Sequence, residues 1–245
     1  MKFKALLFDI NGTVTDILTS ESDEELYRVT ANFLKFHGVR ISPGELKALY
    51  FDLNRRQRRE SPEEFPEFDV KKIFQTIIEE YGDPANVPFH LAAQTAEVYR
   101  AASCFRLEPY TGVTEVLTMM KKRYHLAAVS DGQSLWARNE VRMAGLEKFF
   151  EFVIVSGDHG FRKPDKRMFT LALEKLGVAP HEAVYVGNDM YRDVFGAKNA
   201  GMKSIFFRSN QGEQSFCGAE PDYIIYNFNE LPRAVTFLEE HTTDF

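Results

Sequence analysis

The stretch KALLFDINGTVTD, residues 4–16, joins a short apolar run to a cluster of polar side chains. The run from Ala5 to Phe8 is typical of a buried strand. A carboxylate, an amide and a hydroxyl then follow, contributed by Asp9, Asn11 and Thr13. Ligand sites in parallel sheets form at the carboxyl ends of strands, so this stretch predicts both a fold and the place of its chemistry.

Five further apolar runs have the same character, and helical patterns separate most of them. The runs span residues 124–132, 150–158, 182–189, 203–210 and 221–227. The helical patterns cover residues 111–123, 164–178, 193–202 and 231–241. Continuous apolar strands suit a sheet that is covered on both faces. Strand–helix alternation therefore predicts an α/β fold, a doubly wound parallel sheet of the Rossmann-like kind.

The segment from Asp16 to Cys104 has a different pattern, with no convincing strand. Four amphipathic helices are predicted, over residues 22–39, 42–59, 69–82 and 89–103. We expect a core domain made of residues 1–15 plus 106–245 and a small all-helical cap domain made of residues 16–105. Inserted after the first strand, the cap should lie over the strand ends as a lid.

Composition excludes several classes of protein. The 245-residue chain carries a net charge of −6, which disfavours a nucleic-acid binder. The apolar runs are too short for a signal peptide or a membrane span, and two distant cysteines suggest neither a disulfide framework nor a metal site. We expect a cytoplasmic protein, a monomer or homodimer, with no nucleic-acid or membrane partner.

Side chains capable of chemistry stand at the ends of four of the predicted strands or directly after them. They are Asp9, Asn11 and Thr13 after the first, Ser130 and Asp131 after the second, Lys163 after the third, and Asn188, Asp189 and Asp193 after the fourth. A carboxylate can approach an anionic ligand only where cations offset the repulsion, so a lysine and a metal suit such a site. Mg²⁺ prefers oxygen ligands of this kind. Backbone N–H groups around Gly12 and Gly132 are expected to add donors for an anion.

With these four motifs in this order, the chain resembles the haloacid dehalogenase superfamily, with a helical cap of the C1 type. The resemblance implies that Asp9 is a nucleophile that becomes an aspartyl phosphate, that Ser130 binds a phosphoryl oxygen, and that Lys163 neutralises charge. It also implies a Mg²⁺ site at the end of the fourth strand. We expect the remaining substrate-binding positions to be Gly12, Thr13, Asp131 and Gly132.

Two positions depart from the superfamily pattern, which usually has aspartate where this chain has Asn11 and Asn188. The implied metal ligands are then Asp9, the Asn11 carbonyl, Asn188 and Asp193, with Asp189 adjacent, and weaker Mg²⁺ binding is expected. An amide at position 11 cannot transfer a proton, and general acid–base help is worth roughly 10²–10⁴ in rate. Turnover should therefore be slow for poor leaving groups.

The resemblance implies a Mg²⁺-dependent phosphohydrolase of a small phosphorylated metabolite, with catalysis impaired at Asn11. Two alternatives remain open. One is a metal-independent hydrolase of the 2-haloacid dehalogenase type, and the other is a catalytically weak relative that binds a phosphate ester or a protein. The stretch NRRQRRE, residues 54–60, is expected either to be a solvated helix face or to direct one arginine at the substrate.

Overall fold

The computed structural model describes residues 2–83 and 88–241, which form eight β-strands and nine α-helices. The strands are β1 (Ala5–Phe8), β2 (Thr15–Thr19), β3 (Cys104–Pro109), β4 (His125–Ser130), β5 (Val153–Val155), β6 (Ala183–Gly187), β7 (Lys203–Phe207) and β8 (Tyr223–Ile225). The helices are α1 (Glu24–Phe36), α2 (Pro43–Glu60), α3 (Val70–Tyr81), α4 (Leu91–Ser103), α5 (Val113–Met120), α6 (Ser134–Met143), α7 (Lys166–Leu176), α8 (Gly196–Asn199) and α9 (Leu231–His241). A π-helical segment, Met190–Phe195, leads into α8.

Six strands form one sheet in the order β5–β4–β1–β6–β7–β8, and every neighbouring pair is parallel. Alternate residues of β1 serve opposite faces. Leu6 and Phe8 belong to one apolar cluster, whereas Ala5 and Leu7 belong to another. The predicted doubly wound parallel sheet is confirmed, and each of the six predicted strands is present.

The strand order reverses at β1, which pairs with β4 on one side and with β6 on the other. Phe8 is in register with Ala128 of β4 and with Val186 of β6. Residues just beyond these positions therefore emerge side by side at the carboxyl edge of the sheet. This reversal point is where ligands bind in open α/β sheets.

Helices α1–α4 follow one another between β2 and β3 and share an apolar cluster, to which α6 also contributes Trp136. Tyr50 of α2 stacks on Tyr99 of α4 at its centre, and both side chains are fully buried. The start of α2 has both sequence signals, because Ser42 and Glu45 form a reciprocal capping box around Pro43. The helical character of the insertion is as predicted, while its division as a separate domain at residues 16 and 105 stays a prediction.

The expectation that the insertion contains no strand is wrong. β2 pairs antiparallel with β3, with Ile17 opposite Leu107, so the insertion begins and ends in a two-stranded ribbon. A strand in such a ribbon is half exposed: Thr15 and Ile17 of β2 are buried, whereas Leu18 is exposed. Continuous apolar runs mark only strands that are covered on both faces, which explains why the ribbon was missed.

A second connection joins the helical insertion to the sheet through backbone hydrogen bonds. The N–H of Glu67 donates to the carbonyl of Gly160, and the N–H of Arg162 donates to the carbonyl of Phe65, each at 2.9 Å. The segment after α2 is therefore held beside the residues that immediately precede Lys163. In the described part of the chain, no helix is both long and apolar enough to cross a membrane.

Candidate active site

Lys163 stands at the centre of the polar cluster. Its Nζ lies 2.7 Å from Asp9 Oδ1, 2.7 Å from Asp193 Oδ1 and 3.0 Å from the Tyr185 hydroxyl, and the residue is only 2% exposed. Burial by itself would lower the pKa of the ammonium, but the carboxylates of Asp193 and Asp9 outweigh it and raise the pKa well above its ordinary value. The lysine is therefore a fixed positive charge shared by two acidic side chains.

Asp9 follows β1 directly and remains slightly exposed, at 7%. Lys163 contacts one of its carboxylate oxygens, and the Thr13 hydroxyl lies 3.2 Å from the other. The same hydroxyl lies 3.0 Å from Asn188 Oδ1, so its single hydrogen serves two acceptors. Gly12 makes this turn possible, because its φ is +87° and a Cβ there would lie 2.3 Å from Asn188 Nδ2.

Asp193 is buried behind this arrangement, with donors on both carboxylate oxygens. Oδ2 accepts from the backbone N–H groups of Asn188 and Asp189, each at 3.0 Å, and Oδ1 accepts from Lys163 and Tyr185. A carboxylate with so many donors orders the loop after β6 as well as the lysine. Its backing is tight, since a Cβ on Gly187 would lie 2.4 Å from the Asp193 carboxylate.

Two side chains of the site offer oxygen donors that could bind a divalent metal. Asp9 and Asn188 offer a carboxylate and an amide oxygen that are linked through one hydroxyl. Mg²⁺ usually takes one or two carboxylates and completes its octahedron with water and substrate phosphate, so this donor set fits Mg²⁺. Among residues 2–83 and 88–241, no group of three or more His, Cys, Asp or Glu side chains is placed to hold a metal, in keeping with the amides at positions 11 and 188.

Asp189 acts as a helix cap. Its carboxylate accepts from the backbone N–H groups of Tyr191, Arg192 and Glu213 and pairs with the Arg192 guanidinium. Burial opposes the charge of Asp189, but Arg192 and the backbone donors together hold the pKa of this carboxyl below its usual range. Its oxygens are thus committed to the start of the π-helical segment and to the loop that contains Glu213.

Asp131 connects the end of β4 to the lysine loop. One of its carboxylate oxygens accepts from the backbone N–H of Lys163 at 3.0 Å, and the other has no hydrogen-bond partner but lies 3.8 Å from Arg192 Nη1. Burial raises the pKa of this carboxyl. Ser130, only 1% exposed, ends β4 next to β1, with its hydroxyl 3.4 Å from the Asp131 carbonyl.

The two glycine N–H groups expected to bind an anion already have partners. The N–H of Gly12 donates to the Thr15 carbonyl at 2.8 Å, and the N–H of Gly132 donates to the Ser156 hydroxyl at 2.9 Å. In this conformation both groups stabilise their own turns. Anion binding at these two positions therefore stays a prediction and requires the turns to rearrange.

Asn11 points both ends of its side chain at protein groups. Its Oδ1 accepts from the Thr15 hydroxyl at 3.0 Å, and its Nδ2 donates to Glu140 Oε2 at 3.2 Å. Glu140 and Tyr185 are polar neighbours of the site that the sequence did not single out. Tyr185 lay within an apolar strand run, and Glu140 lay outside every element predicted from periodicity.

One of the four arginines of residues 54–60 differs in exposure from the others. Arg58 is half-buried, with its guanidinium 5.1 Å from the Phe68 ring centroid and 3.5 Å from Glu67, whereas Arg55, Arg56 and Arg59 are exposed. Burial first, and then repulsion from Arg162, lowers the pKa of Arg58. Because Glu67 also accepts from the Ser156 hydroxyl beside Gly132, Arg58 is linked through Glu67 to the segments that follow β4 and β5.

A groove of about 590 Å³ lies beside the cluster, between α4, β3 and α6. Its wall includes Arg100, Trp136 and Glu140, and neither Asp9 nor Lys163 lines it. Glu140 therefore separates this groove from the loop that carries Asn11.

Comparison with known proteins gives consistent matches over most of the chain. The family model for haloacid dehalogenase-like hydrolases matches residues 3–201. The glyceraldehyde 3-phosphate phosphatase of Pyrococcus furiosus is 30% identical over a 255-residue alignment that covers 97% of this chain and 94% of that protein. A HAD phosphatase structure from Thermococcus onnurineus is 26% identical with a TM-score of 0.61, over 94% of this chain and 97% of its own. A 2-haloacid dehalogenase from Pseudomonas syringae shares the fold, with 21% identity and a TM-score of 0.70 over 96% of this chain and 99% of its own.

Proposed function

The chain belongs to the haloacid dehalogenase-like hydrolases, and on that premise we propose that it is a Mg²⁺-dependent phosphatase of a small phosphorylated metabolite. It is a hydrolase of the phosphatase type; the metal, the intermediate and the substrate are the proposed part. The observation that carries the proposal is the slightly exposed Asp9 carboxylate held 2.7 Å from the buried ammonium of Lys163. That pairing presents an anionic nucleophile to an anionic substrate with its charge already offset.

In the proposed reaction, a carboxylate oxygen of Asp9 forms a bond to phosphorus, and the bond from phosphorus to the leaving oxygen breaks. The leaving oxygen keeps the electron pair, and water later hydrolyses the aspartyl phosphate to release inorganic phosphate. Lys163 offsets the repulsion between the two anions, and the Ser130 hydroxyl donates to a phosphoryl oxygen. Mg²⁺, when bound by Asp9, Asn188 and the Asn11 carbonyl with Asp193 behind them, would supply further positive charge at the phosphate.

Asn11 shapes the substrate range in this proposal. Its amide can orient a leaving group, but it cannot protonate one, so phosphates with good leaving groups should react fastest. Alkyl phosphates should be slower by a factor within the roughly 10²–10⁴ that general acid–base catalysis contributes.

Recognition of the rest of the substrate is proposed for Arg58. Loss of a hydrogen bond to a charged group corresponds to about 1.5–3 kcal/mol, so Arg58→Gln should raise KM roughly 10–100-fold with a smaller change in kcat. Arg55→Gln is the matched control, because Arg55 is an exposed arginine of the same helix. Equal KM values for the two variants would refute the proposal that Arg58 contacts the substrate.

The experiment that tests the function measures phosphate release from acetyl phosphate, p-nitrophenyl phosphate and glyceraldehyde 3-phosphate, with Mg²⁺ and with excess chelator. Glyceraldehyde 3-phosphate is included because the relative with that activity in its name aligns over 97% of this chain. We expect turnover with Mg²⁺, little with chelator, and none for Asp9→Asn.

Mass spectrometry of acid-quenched enzyme should show one added phosphoryl group on Asp9. Turnover unchanged by Asp9→Asn would refute the assignment of the nucleophile. Release of halide from a 2-haloacid in the presence of chelator would favour the dehalogenase alternative instead.

A further inference from the structure

Glu140 is a buried carboxylate that contacts Asn11, the position of the nucleophile loop where the superfamily usually has aspartate. It lies on α6 and is 5% exposed, with one oxygen 3.2 Å from Asn11 Nδ2. Its other oxygen accepts from Arg100 Nε at 2.5 Å, in an ion pair that is itself mostly buried. Arg100 belongs to α4 of the helical insertion, so Glu140 connects that insertion to position 11.

The hydrogen-bond polarity around Asn11 is set by Glu140. The Thr15 hydroxyl lies 3.0 Å from one end of the Asn11 side chain and 3.2 Å from the Ile10 carbonyl, so its hydrogen has two possible acceptors and it is compatible with either end of an amide. The other end faces the carboxylate of Glu140, which offers only acceptors while it is paired with Arg100. A donor towards Glu140 is therefore required at position 11, and the asparagine amide provides it, whereas a carboxylate does not.

We propose that Glu140 is a positioning residue that selects an amide at position 11 and fixes the orientation of that amide. This inference rests on the proposed function only for its effect on turnover. A carboxylate at position 11 would place an acidic oxygen about 3 Å from the Glu140 carboxylate, with no donor between them and an unfavourable interaction of like charges. The asparagine that replaces the usual aspartate at position 11 is thus matched by an acidic residue, Glu140, on α6.

The converse pairing should also be compatible. With Glu140→Gln, the introduced amide can donate to a carboxylate at position 11 while its carbonyl oxygen still accepts from Arg100. The amide and the carboxylate should therefore be exchangeable between positions 11 and 140 when both are changed together. Either change alone should destabilise the protein. The appropriate experiment is a double-mutant cycle on the full chain with Asn11→Asp, Glu140→Gln and both changes combined.

Thermal unfolding at pH 8 gives the readout that does not need activity. We expect Asn11→Asp to lower Tm by about 5 °C or more, and adding Glu140→Gln should recover most of that loss. Asn139→Asp is the matched control, because it adds the same charge to the neighbouring position of α6, and Asn139 contacts Leu135 and Arg142 instead of Asn11. Its effect should simply add to that of Glu140→Gln.

Additive effects of Asn11→Asp and Glu140→Gln would overturn the inference. If Asn11→Asp does not fold, a folded double variant supports the proposal and an unfolded one overturns it. Kinetics on an alkyl phosphate supply a second readout: kcat of the double variant should exceed that of Asn11→Asp at least tenfold with little change in KM, and equal kcat values would also overturn the inference. Absence of turnover in every form would refute the proposed function while leaving the Tm cycle decisive for Glu140.

Discussion

Replacing Lys163 by methionine would remove a buried cation while leaving an unbranched side chain of similar length. In Lys163→Met, the carboxylates of Asp9 and Asp193 lose the ammonium that lies 2.7 Å from each. Removing one partner of a buried ion pair costs about 3–5 kcal/mol. For a chain of this size, each kcal/mol lowers Tm by about 2–4 °C, so we expect a fall of roughly 6–20 °C at pH 7.

Urea unfolding and thermal unfolding, followed by circular dichroism, would measure this loss. Tyr185→Phe is the control, because it removes a hydroxyl that contacts both Lys163 and Asp193 but leaves every charge in place. Loss of a hydrogen bond to a charged group costs about 1.5–3 kcal/mol, but no buried charge loses its counter-ion in this variant, so the control should fall by less than Lys163→Met.

The stabilisation of the folded protein by Lys163 depends on pH in a definite direction. The folded protein raises the pKa of this ammonium above its ordinary value of 10.5, so the stabilisation is complete below pH 10.5 and is lost as pH rises through the folded-state pKa. In Lys163→Met, burial raises the pKa of the Asp193 carboxyl without the opposing ammonium, so that carboxyl can take up a proton in acid and the stability difference from wild type should narrow as the pH falls from 7 to about 5. A difference below about 1 kcal/mol at pH 7, equal at both pH values, would refute the buried ion-pair reasoning.

Two further outcomes are expected. Asp165→Asn keeps an acceptor for the N–H of Arg167 at the start of α7 but loses a carboxylate whose pKa is held low by Arg167 against the opposing effect of burial. Urea unfolding should show about 0.5–1 kcal/mol less stability at pH 7. This difference should be complete above the ordinary pKa of 3.8 and should be lost as pH falls from there through the lowered folded-state pKa; a difference that persists at still lower pH would contradict the charge argument. Gly187→Ala should push the Asp193 carboxylate out of place, which should lower the free energy of unfolding by at least about 1–3 kcal/mol and abolish phosphatase activity. The control is Gly44→Ala, which should be neutral or stabilising in the same assays because the space around Gly44 is open. Equal effects of the two substitutions would refute the packing argument.

The sequence predicts the sheet well because its strands are covered on both faces. Such strands carry uninterrupted apolar runs, and polar residues begin only where the strands end, as Asp9 does after Phe8. The cluster of Asp9, Lys163 and Asp193 follows from the same logic, since parallel strands place their carboxyl ends at one edge.

Elements with mixed environments were harder to predict. Helix α6 buries Trp136, Ala137 and Val141, but Glu140 interrupts that apolar stripe with a charge. A buried acidic residue reads as an exposed one until its partners are known, and those partners, Asn11 and Arg100, are far away along the chain. Tyr185 was overlooked for the opposite reason, because an aromatic residue in a buried strand looks like packing until its hydroxyl meets Lys163.

The ribbon of β2 and β3 makes the helical insertion exchangeable in principle. Thr19 and Cys104 lie opposite each other across the ribbon, so residues 20–103 leave and re-enter the sheet-bearing part of the chain at neighbouring points. The entropy of closing a loop grows only slowly with its length, so such an entry point accepts segments of very different size at similar cost. A short turn joining the two strands would convert the ribbon into a hairpin, which makes this the natural junction for joining another inserted segment to the same edge of the sheet.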